Sequence, residues 1–169
     1  MKNLKLVLWI FVLYIIQNIF YPIISVTGII PDLLLGFIVS YAALEHRFTK
    51  LSSVIIICAV VAGTGTGRVF PIVTLFLGLG GVASYVMTNY LRFIPQFIRA
   101  QAVAAVFSFI MCVAEFFVSA RTVTYGFIIN TAIWQTVYTV AVSCVIYLIL
   151  KRIIFKDTEK KILIAQERN

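Results

Sequence analysis

The sequence predicts an all-α membrane protein, a polytopic bundle of six transmembrane helices. Three observations lead there. Of 169 residues, 62% are hydrophobic and only 12% are charged, against about 25% charged in soluble globular domains, and the mean hydropathy is +1.06. The apolar residues fall into six stretches, bounded by charges, prolines and glycine clusters. The cations are distributed over the intervening loops with a strong asymmetry.

A helix needs roughly 20 apolar residues to cross a bilayer. The six stretches are Leu4–Tyr21, Ile29–Leu44, Leu51–Ala62, Val69–Thr88, Ile98–Ala120 and Gly126–Leu150. The second and third are short, so a five-span chain or a re-entrant segment is the alternative. Lys and Arg in short loops mark the cytoplasmic side. With six spans and the N-terminus inside, 12 of the 14 cations lie inside: Lys2, Lys5, Arg47, Lys50, Arg92, Arg99, Lys151, Arg152, Lys156, Lys160, Lys161 and Arg168. Only Arg68 and Arg121 lie outside. An odd number of spans would place one basic terminus outside, so six spans are expected, with both termini cytoplasmic.

The first stretch has a basic flank but no small-residue cleavage pattern after it, and reads as a retained helix. Residues 1–150 form the transmembrane domain and 151–169 a basic cytoplasmic tail. The end of that tail, KDTEKKILIAQERN, mixes signs and is expected to be frayed helix or disordered. The net charge of +8 follows from the topology and needs no nucleic acid. Lys151, Arg152 and Lys156 are placed to meet anionic headgroups.

Little points to catalysis. Cys58, Cys112 and Cys144 lie inside predicted spans, are odd in number and include no CxxC pair, so they read as small packing residues. The single histidine, His46, has no second metal ligand beside it. GTGTGR (Gly63–Arg68) lacks the GK[ST] ending and the preceding strand of a phosphate loop, and reads as an outer turn. No catalytic, cofactor-binding or metal-ligating residue is assigned, and no cofactor is expected.

The informative polar positions lie within the spans. In span five, Ala100, Ala104, Ser108 and Cys112 recur every four residues, a row that lets another helix approach closely. Glu115 follows near the same face. A carboxylate at such depth ordinarily faces the protein interior with a partner, and Arg68 and Arg121 are the nearest outside cations. Span one carries Tyr14, Gln17, Asn18, Tyr21 and Ser25 at helical spacing; span six carries Asn130, Thr131, Trp134, Gln135 and Tyr138. These stripes either glue helices together or line an outward cavity with Glu115. Pro31 and Asp32 suit a first helical turn, where proline costs no hydrogen bond and a carboxylate meets the positive helix end. They are expected to open span two at the outer interface, after an apolar segment, Pro22–Ile30, lying against the membrane.

The stretch PDLLLGFIVSYAALEHR (Pro31–Arg47) resembles the opening of the second span in the rod-shape-determining MreD family. The glycine-bearing turn after span three and the FLGLGG of span four are also similar to it. The end of span three, CAVVAGTGTG, departs by lacking an acidic residue that many members carry. The resemblance implies a non-enzymatic scaffold of the bacterial cell-elongation machinery in the inner membrane. Its implied partners are an MreC-like single-span coiled-coil protein and other proteins of the elongation complex. It also implies a fold like the substrate-binding S-components of vitamin transporters, which supplies the alternative function. The bulky first span (Trp9, Phe11, Tyr14, Phe20) lacks the Ala-xxx-Ala pattern of S-components and favours the scaffold.

Overall fold

The computed structural model describes residues 2–19, 29–45, 47–65, 70–91, 93–118 and 124–166. These contain six helices: α1 (Lys2–Ile19), α2 (Leu33–Leu44), α3 (Phe48–Gly65), α4 (Phe70–Tyr90), α5 (Gln96–Val118) and α6 (Tyr125–Gln166). The all-α bundle expected from the sequence is what the chain forms. Three segments are long and apolar enough to cross a membrane unaided: Ile72–Tyr90, Gln96–Val118 and Tyr125–Arg152. The apolar parts of α1, α2 and α3 are shorter.

The helices are bounded by local chemistry. Pro95 directly precedes α5, and its carbonyl accepts the Arg99 N–H at 3.2 Å. Thr124 starts α6, its carbonyl accepting from Phe127 N–H at 3.0 Å. Pro71 lies in the first turn of α4, where a missing N–H costs nothing. One boundary differs from expectation. The segment read as a turn from Gly63 is still helical through Gly65, because α3 continues past its apolar stretch; Thr66, Gly67 and Arg68 lie outside the described residues, as does His46. Beyond Leu150, α6 runs unbroken to Gln166, since nothing in that stretch, no proline or glycine, stops a helix.

Helix α2 is the centre of the molecule. All 12 of its residues are buried, and it touches each of the other five helices. Such all-round burial matches a helix with apolar residues on every face. Sequence neighbours α3 and α4, α4 and α5, and α5 and α6 run antiparallel. The ring pairs Phe48–Tyr85, Phe97–Tyr147 and Phe116–Phe127 and the contact of Gly80 with Phe107 fix these registers. Helices α2, α4 and α6 are therefore parallel to one another. The core is continuous from Ile10 of α1 through α2 to Val103 of α5 and Ile146 of α6. Helix α1 is peripheral, packing only on α2 and α3 among the described elements and exposing Leu8, Phe11 and Ile15.

Glycines set the tightest approaches. A Cβ on Gly36 of α2 would lie 3.3 Å from Ser143 Cα in the backbone of α6. A Cβ on Gly81 of α4 would lie 2.7 Å from Ile38 Cγ2 and 2.8 Å from Ile55 Cδ1. At Gly36 two backbones approach closely, as in membrane interfaces built on small residues; at Gly81 the neighbours are the ends of isoleucine side chains.

One end of the bundle collects Glu45, Lys50, Arg99, Lys151 and Arg152; it is called the basic end below. Lys50 Nζ lies 3.5 Å from Glu45 Oε2. Arg99, counted from sequence among the loop cations, lies instead within α5 and is only 5% exposed. Its Nη1 donates to the carbonyls of Met87 at 3.0 Å and Thr88 at 2.7 Å. They lie in the last turn of α4, at the negative end of its dipole; the Met87 carbonyl also accepts the Leu91 N–H at 3.0 Å, while the Thr88 carbonyl is one of the orphan acceptors of a helix end. A guanidinium can sink into an apolar bundle there because it finds acceptors.

Candidate functional site

Asp32 stands at the start of α2 and is 2% exposed. Its Oδ1 accepts the Leu35 N–H at 3.0 Å, capping one orphan donor of the first turn. Its own N–H donates to Thr139 Oγ1 of α6 at 3.0 Å. The Gly36 N–H reaches the Asp32 carbonyl at 3.1 Å and closes the first turn. Pro31 is buried beside it, fixing the entry of the chain.

Pro31 and Asp32 do open the helix, at mid-height of α6 rather than at the end of the bundle opposite the basic end. Thr139 lies near the middle of the apolar stretch Tyr125–Arg152, and Asp32 bonds to it. Helix α2 has 12 residues, about 18 Å at 1.5 Å per residue, well short of the roughly 30 Å hydrocarbon core. It spans half the height of α6, from mid-level to the basic end. Of the segment Pro22–Ile30 only Ile29 and Ile30 are described, residues 22–28 lying outside the described residues; with Pro31 they are non-helical and buried or half-buried. Irregular backbone is tolerated at such depth only where protein encloses it and answers its polar groups. Thr139, 0% exposed, is the residue that does so for Asp32.

Further along the same crossing, Ser40 of α2 meets Ser143 of α6. Its hydroxyl lies 3.4 Å from the Ser143 carbonyl and 3.3 Å from its hydroxyl. On the opposite side, Ser84 of α4 donates to the Val39 carbonyl at 2.9 Å. The central helix is therefore locked to α6 by Thr139 and Ser143 and to α4 by Ser84. Sequence reading missed Thr139, Ser143 and Ser40. A signal existed: Gly36 and Ser40 are four apart, as are Thr139 and Ser143, two short small-residue rows on different helices.

The row on α5 holds. Ala100, Ala104, Ser108 and Cys112 are all at most 1% exposed, while Val106 and Ile110 face outward. Glu115 is half-buried, one turn beyond that row. The two cations expected near it, Arg68 and Arg121, lie outside the described residues. The ring pairs between α5 and α6 place Ser108 at the level of Gln135. Both are buried, and Ser108 Oγ and Gln135 Nε2 have no hydrogen-bond partner among the described residues. Replacing Ala104 by leucine should cost roughly 1–3 kcal/mol by overpacking. Leucine at outward-facing Ala102 of the same helix should be nearly silent. The readout is the yield of folded protein surviving a detergent challenge.

The polar stripe of span six is not one surface. Gln135 and Thr139 point inward, while Asn130 and Trp134 are exposed, Trp134 by 47%. In α1, Gln17 is buried and Asn18 donates back to the Tyr14 carbonyl at 2.9 Å. Tyr21 and Ser25 lie outside the described residues. None of the three cysteines forms a disulfide among the described residues, and Cys58 and Cys112 are buried.

The long apolar helices and the interior hydrogen bonds between them define a polytopic helical membrane protein. Compared with known protein families, curated proteins and solved structures, the chain matches none.

Proposed function

We propose that this chain is a non-enzymatic scaffold subunit of the MreD type. In this reading it lies in the bacterial inner membrane with both termini cytoplasmic, and works by binding an MreC-like single-span coiled-coil protein and other elongation-complex proteins. The observation that carries the reading is the division of polar residues between two uses. Asp32, Ser40, Ser84, Thr139 and Ser143 are spent on bonds between helices of the chain itself. Asn130 and Trp134 are left on the outer face of α6. A polar amide facing lipid gains from a partner helix, and an exposed tryptophan supplies contact area beside it. A rigid interior with a polar outward face fits a protein that acts by side-to-side binding.

The test is co-expression with an MreC-like single-span coiled-coil protein. With the native cysteines replaced by alanine, a photo-crosslinker on a cysteine at Asn130 should join the two chains. One at exposed Val106, on α5, should not. Co-purification should weaken on the order of tenfold in Asn130→Leu, as expected when about 1 kcal/mol or more of interhelical bonding is lost. Absence of co-purification, together with a saturable thermal stabilisation by a vitamin that Glu115→Gln weakens, would move the assignment to the transporter alternative.

A further inference from the structure

At the basic end, where α4 gives way to α5, the surface opens into a pocket of about 550 Å³. Thr88, Asn89, Phe93, Pro95, Gln96 and Arg99 line it. We infer that this pocket is an anion site that takes the phosphate group of a phosphorylated ligand, and that a phospholipid headgroup is the source its surroundings favour.

Charge is the first argument. Arg99 is 95% buried, because its residue exposure is 5%. Two carbonyls accept from its Nη1, its Nε has no partner, and no carboxylate pairs with it among the described residues. Carbonyl dipoles solvate a guanidinium but do not neutralise it, and a buried charge without a counter-ion is costly. An anion in the pocket that Arg99 lines supplies the counter-charge, and the planar guanidinium suits phosphate oxygens.

The second argument is the frame around it. Gln96 is the first residue of α5, so the opening N–H groups and the positive end of that helix lie at the pocket. Thr88 and Asn89 already donate within α4, to the Ser84 and Tyr85 carbonyls at 2.8 and 3.0 Å. The donors left for an anion are therefore Arg99, the Gln96 amide, the second N–H of the Asn89 amide and the helix start.

The third argument selects the source. Tyr90 and Phe93 beside the pocket are 80% and 81% exposed. A tyrosine in that state is characteristic of the membrane–water boundary, and Phe93 adds exposed apolar surface beside it. Ile98, 55% exposed on the next turn of α5, continues an apolar surface away from the mouth, where an acyl chain can lie. The volume is in the usual range for small-ligand sites.

The experiment uses the purified full chain, delipidated in a neutral detergent, with thermal unfolding as readout. One arm titrates a short-chain phosphatidylglycerol against phosphatidylcholine as the uncharged control. The other titrates sodium phosphate against chloride at equal ionic strength. Gln96→Glu places a negative charge in the pocket at a helix start that favours it, so folding is preserved. Thr49→Glu, on exposed α3 surface at the same end, controls for net charge. The expected result is a saturable stabilisation by phosphatidylglycerol, with apparent Kd raised at least tenfold in Gln96→Glu and unchanged in Thr49→Glu. Equal stabilisation by inorganic phosphate, with the same variant pattern, would confirm the site and identify a free phosphate as its source. No stabilisation by either anion, or equal binding by the wild type and Gln96→Glu, would overturn it.

Discussion

Replacing Gly36 by leucine should unfold the bundle or cost upwards of about 3 kcal/mol, at the high end of overpacking effects. The reason is what the new side chain meets. The contact at 3.3 Å is with the Cα of Ser143, so relief requires moving α6 as a whole, and α6 is also held at Thr139 by Asp32 and at Ser143 by Ser40. Alanine at the same position should be milder, about 1 kcal/mol, because a shift of a few tenths of an ångström accommodates one methyl group. Gly81→Ala meets only the ends of Ile38 and Ile55 side chains, at 2.7 and 2.8 Å, and isoleucine rotamers can give way. Gly78→Ala meets nothing nearer than 3.8 Å and should be neutral or stabilising by up to about 1 kcal/mol, the usual gain for glycine to alanine in a helix. Thermal unfolding in detergent would rank the four. A Gly36→Leu protein as stable as Gly78→Ala would mean that the α2–α6 crossing is not the tight point of the structure.

Why some of this was legible in the sequence and some was not follows from what each signal reports. Helix number and order came from apolar runs and charges, which describe each segment alone. The inward face of α5 was legible because Ala100, Ala104, Ser108 and Cys112 repeat on one face of a single helix. The depth of Asp32 was not. The Pro31–Asp32 start is correct as a capping signal, but capping chemistry is the same at a membrane surface and inside a bundle. Only the partner, Thr139, sets the level, and it is 107 positions away in the chain. Arg99 was misplaced for a related reason. Charge counting treats every cation near a span end as a loop residue, whereas the Met87 and Thr88 carbonyls at the end of α4 let this one enter the protein. The stripe in span six was read as a single surface because helical spacing of three and four covers a broad arc. Packing against α2 and α5 then divides that arc into an inward half with Gln135 and Thr139 and an outward half with Asn130.

Substitutions at Asp32 separate a capping role from a role for its charge. Asparagine caps a helix about as well as aspartate, so Asp32→Asn should keep the bond to the Leu35 N–H and leave stability nearly unchanged. Alanine removes the acceptor and should cost about 1 kcal/mol, the usual value for a lost cap; burial at 2% exposure pushes this upward, because the Leu35 N–H would have no water to turn to. Leucine removes the cap and also forces extra volume into a filled site, for a combined cost of about 3 kcal/mol. Partner co-purification should follow the same order, with asparagine close to wild type, if Asp32 serves only to hold α2 at its height against Thr139. Should Asp32→Asn fold like the wild type but lose partner binding as fully as leucine, the negative charge itself would be required. Charge at mid-level of a membrane bundle is a feature of ion and proton pathways, and the scaffold reading would then have to yield at this residue.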